Sequence, residues 1–62
     1  MNKDEILNLM LTSINDDNRA LCQQGGMSEA DADAQIEQSQ PSLGFILNNM
    51  YDRLDSLGVF AK

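Results

Sequence analysis

Sixty-two residues allow one domain at most, and surface scaling lets such a chain bury only about 60% of its unfolded surface. One cysteine and no histidine leave no disulfide framework and no metal-ligand cluster to staple it, so self-association is the remaining support and a helical homodimer is expected. Ten acids against four bases give a formal charge of −6, which opposes a phosphate backbone and an anionic membrane surface and so disfavours direct binding to either.

The chain opens on Asn2, with Glu5 three residues on and Asp4 beside it, the pattern of a capping box with acids placed at the positive end of a helix dipole. A helix is predicted from about Lys3. At about 100° per residue, Ile6, Leu7, Met10, Leu11, Ile14, Leu21 and Cys22 fall within one half of the wheel. The polar run Asn15 to Asn18 could turn the chain, but the return of Leu21 and Cys22 to the same face favours one helix to about Gln24. The run from Ile6 to Ile14 is too short and too interrupted to cross a bilayer, and with Asp4 and Glu5 directly after Lys3 it does not read as a signal peptide. The expectation is a soluble cytoplasmic protein.

Gly25 and Gly26 stop this helix, and Ser28 supplies a second N-cap with Glu29 and Asp31 in the following turn. The segment that follows is rich in alanine and acids and carries one large apolar residue, Ile36, so a short exposed helix over about 28–39 is predicted. Pro41 should separate it from the next element, because a proline inside a helix costs about 3 kcal/mol and disfavours helical geometry in the residue before it.

The last helix is predicted over about Ser42 to Leu57. Leu43, Leu47, Met50, Leu54 and Leu57 are spaced 4, 3, 4 and 3, the seam of a helix packed lengthwise on another. Gly58 is a helix-stop residue, and Val59 stands where a Schellman motif sets an apolar side chain against Leu54, so the tail should fold back. The architecture expected is all-α: a small helical hairpin or three-helix domain over residues 1–62, with two main helices and a short acidic middle one.

The chemistry-bearing residues are sparse. Asp31, Asp33 and Gln35 imitate the first ligands of a calcium loop, but Ile36 and Ser42 occupy the places of its glycine and bidentate glutamate. Cys22 has no imidazole base anywhere in the sequence and shares its face with Ile14 and Leu21, which reads as a buried structural thiol. Gly25 and Gly26 lack the lysine and hydroxyl of a phosphate loop, and Tyr51 beside the leucine seam reads as core edge. No catalytic residue, cofactor or metal is expected.

Two surface features remain. Phe45 points roughly opposite Leu43, Leu47 and Leu54, among Asn48, Asn49 and Asp52, where it is either covered by the tail or middle helix or is a hot spot for another chain. Glu29, Asp31, Asp33 and Glu37 form an acidic surface. The sequence therefore reads as a non-enzymatic interaction or regulatory module whose partners are itself and another protein; the alternative is an acidic inhibitor that mimics nucleic acid in a basic site.

Overall fold

A computed structural model describes residues 1–60. Two helices, α1 (Lys3–Gln24) and α2 (Glu29–Ser56), form an antiparallel hairpin about a four-residue connection.

Local signals fix its ends. Asn2 Oδ1 accepts the Glu5 backbone N–H at 2.8 Å, and Ser28 Oγ accepts that of Asp31 at 3.2 Å, so each helix starts on a side-chain cap. Both helices finish in Schellman motifs, with glycine at the left-handed position in each: Gly26 at φ 84° and Gly58 at φ 78°. In the first, Met27 N–H donates to the Cys22 carbonyl at 3.0 Å; in the second, Val59 N–H donates to that of Leu54 at 3.2 Å. The turn after Gly58 carries the chain back, and the Phe60 ring stacks on Tyr51 with centroids 4.6 Å apart. Lys3 Nζ lies 5.3 Å from the Tyr51 ring centroid, tying the start of α1 to the same corner.

The expected break at Pro41, and with it a separate middle helix over 28–39, does not occur: α2 runs through the proline. Pro41 removes a single intrahelical bond, the one that would end on the Glu37 carbonyl. Pro41 and Glu37 are both exposed, so water can take that carbonyl. In the turn before the proline, Ser39 Oγ and Gln40 Nε2 both donate to the Ile36 carbonyl, at 2.7 and 2.8 Å. Packing on α1 on both sides of Pro41 supplies the rest, since Ala32 and Ile36 are buried before it and Leu47 after it.

Contrary to the expectation that the middle segment buries little, it provides two of the three buried residues among those described. Ala32, Ile36, Gln40, Leu43, Leu47, Tyr51 and Leu54 form one inward line, spaced 4, 4, 3, 4, 4 and 3. That spacing is close to the 3.6 residues per turn of a straight helix, so a single face serves the whole length of α2. α1 contributes no buried residue; its inner side chains are half-buried. The hairpin is elongated, 44 × 18 × 16 Å, with a radius of gyration of 13.9 Å where a compact domain of this length has about 11 Å.

Candidate interaction face

The groove between the two helices has two edges of different character. Along one, polar side chains reach across. Lys3 Nζ meets Asp52 Oδ1 at 3.2 Å, and Arg19 pairs with Asp33. Between them, the Asn15 and Gln40 amides exchange both hydrogen bonds, at 3.1 and 3.0 Å. Gln40 is held for this by its further bond to the Ile36 carbonyl. The hydrogen bond and charge of Asp33 raise the Arg19 pKa above its ordinary value.

The other edge is apolar. Taking Leu47 as the direction of α1, Ile46, Met50 and Leu57 turn about 60 to 100° to the side away from Asp33, Gln40 and Tyr51. On α1, Ile6, Met10 and Leu21 turn away from Asn15 and Arg19. Because the helices are antiparallel, these two sets lie on the same edge. Ile46, Met50, Leu21 and Leu57 are exposed, Leu57 by 78%. At the loop end of this edge an open cleft of about 380 Å³ is lined by Leu21, Cys22, Met27, Gln35, Ile36 and Ser39.

The four leucines and one methionine of the seam separate accordingly. Leu47 is buried, Leu43 and Leu54 are half-buried, and Met50 and Leu57 stand on the apolar edge, while Tyr51 takes the inward place next to Met50. Phe45 is 71% exposed on the outer surface of α2, away from both α1 and the apolar edge. The four acids are all exposed but do not share one face: Glu29, Asp33 and Glu37 follow the polar flank at i, i+4 spacing, and Asp31 projects to the opposite side. Cys22 is half-buried instead of buried, because α2 covers only one side of α1; its Sγ lies 4.0 Å from Gln35 Oε1.

Sequence reasoning did not find Ile46 as part of a surface, nor the Asn15–Gln40 pair. The signal for the first was present, since 46 and 50 each stand one position before an inward residue, 47 and 51, and 57 follows 50 by two helical turns. The second needs the alignment of two helices, which no local pattern contains. Among the described residues no group of three or more His, Cys, Asp or Glu side chains is placed to hold a metal ion, and no helix is long and apolar enough to cross a membrane. No protein-family model, curated protein or solved structure matches the chain.

Proposed function

We propose that this protein is a small acidic, non-enzymatic interaction module that binds protein partners, itself included, through the apolar edge of its hairpin. The carrying observation is the imbalance between three buried residues and nine exposed large apolar ones among those described, several of the latter aligned on one edge. Such a patch on a small surface is the usual mark of a protein-binding site. The acids lie mostly elsewhere, which keeps the module soluble without opposing an apolar partner.

The test compares the intact chain with Ile46→Lys/Met50→Lys and with the charge-reversed variant Glu29→Lys/Asp31→Lys/Glu37→Lys, using a co-purifying protein as ligand. The edge variant should lose binding by about 100-fold or more while its helicity stays unchanged, and the charge-reversed variant should bind nearly as the parent does. Loss confined to the charge-reversed variant, with steep salt dependence, would replace this reading with that of an acidic inhibitor occupying a basic site.

A further inference from the structure

We infer that the apolar edge is a self-complementary surface that seats a second copy of this chain in antiparallel orientation, giving a four-helix bundle in which α1 lies along α1 and α2 along α2 of the partner copy. This rests on the reading of that edge as a binding face and specifies its occupant.

Area supports a second copy. The chain exposes 4694 Å², whereas a compact monomer of its 6.9 kDa mass exposes about 4,000 Å². The excess, roughly 700 Å², is close to the approximately 800 Å² that each partner buries in a standard-sized interface. Two helices make a single layer, and a hairpin acquires a closed core when a second layer covers the open groove.

Shape and charge select the direction. A two-fold interface must match its own surface, so a projection at one end of the face needs a recess at the other. Here Met50 and Leu57 project at the open end of the apolar edge, and the cleft beside Leu21 and Met27 lies at the loop end. Antiparallel stacking brings each projection level with the partner copy's recess, and it also sets Ile6 of one copy level with Leu21 of the other. Charge is distributed as unevenly as shape. Residues 15–40, around the loop, hold six acids and one base, whereas the rest of the chain holds four acids and three bases; the loop half thus carries −5 of the total −6. Parallel stacking would set the two strongly acidic ends together, while antiparallel stacking sets each against a nearly neutral end. It also places Arg53, beside the apolar edge, level with Asp31 of the other copy.

The test uses the full chain with Ser56→Cys in a Cys22→Ser background, spin-labelled at the single introduced thiol, which stands on the outer surface of α2. Sedimentation should show twice the chain mass at about 100 μM, with Met50→Lys raising the dissociation constant by about 100-fold or more. Dipolar spectroscopy should give one label-to-label distance of about 40 Å or more, because the labels then stand at opposite ends of a bundle as long as the hairpin. A dimer with labels within about 30 Å overturns the antiparallel arrangement. A monomer at about 100 μM overturns the second copy as occupant; if Met50→Lys then still abolishes capture of another protein, the binding-face reading survives, and if capture is unaffected both fail.

Discussion

Leu47→Ala removes the centre of the inward line, and the structure sets its cost. The side chain is 3% exposed, so nearly its whole transfer free energy is lost, together with a cavity term. Buried leucine truncations cost about 2 to 5 kcal/mol. The lower half of that range, about 2 to 3 kcal/mol, applies here, because the opposing α1 side chains are half-buried and can settle into the space. A domain of this length has a total stability of only about 3 to 9 kcal/mol, so the variant should be partly unfolded at about 37 °C. Urea unfolding followed by circular dichroism at a few micromolar measures the change, with an unchanged slope showing that the same surface is exposed. A loss below about 1 kcal/mol would mean that α2 does not pack on α1 through Leu47, and the orientation of both groove edges would fall with it.

Pro41→Ala should raise stability by about 1 to 3 kcal/mol by restoring the bond to the Glu37 carbonyl; a lower melting temperature would show that the proline shapes the packing instead of merely being tolerated. Asn15→Ala should cost about 1 to 2 kcal/mol by leaving the Gln40 amide half-satisfied, and a double-mutant cycle with Gln40→Ala should show coupling of about 1 kcal/mol; additive effects would refute the reciprocal pair. Gly58→Ala should cost about 1 kcal/mol through the left-handed backbone at that position, measured by thermal melting, and a neutral result would contradict the Schellman stop. Phe45→Ala should leave melting within about 0.5 kcal/mol of the parent, since its ring lies in solvent, whereas a loss near about 3 kcal/mol would mean that it is covered.

Those signals that act within a few residues were legible in the sequence. Asn2, Ser28, Gly26 and Gly58 set the helix ends by short-range capping, and each does so in the fold. Pro41 misled because its penalty is local whereas the compensation is not. Ala32, Ile36 and Leu47 anchor α2 on α1 on both sides of it, and that packing depends on a helix distant in sequence. Starting the seam afresh at Leu43 also selected Met50 for an inward place, whereas the line that begins at Ala32 reaches Tyr51 and leaves Met50 on the open edge. The division of the groove into a polar and an apolar edge depends on how two helices align, which neither helix encodes alone.

The most direct test of the apolar edge as the binding surface is the methyl NMR spectrum of the intact chain recorded from about 5 to about 500 μM. Signals from Ile6, Leu21, Ile46, Met50 and Leu57 should move together with concentration, while those of Thr12 and Ala34, on outer surfaces of α1 and α2, should stay in place. Edge signals that stay fixed throughout, or that move no more than Thr12 and Ala34, would contradict a second copy docked on that edge.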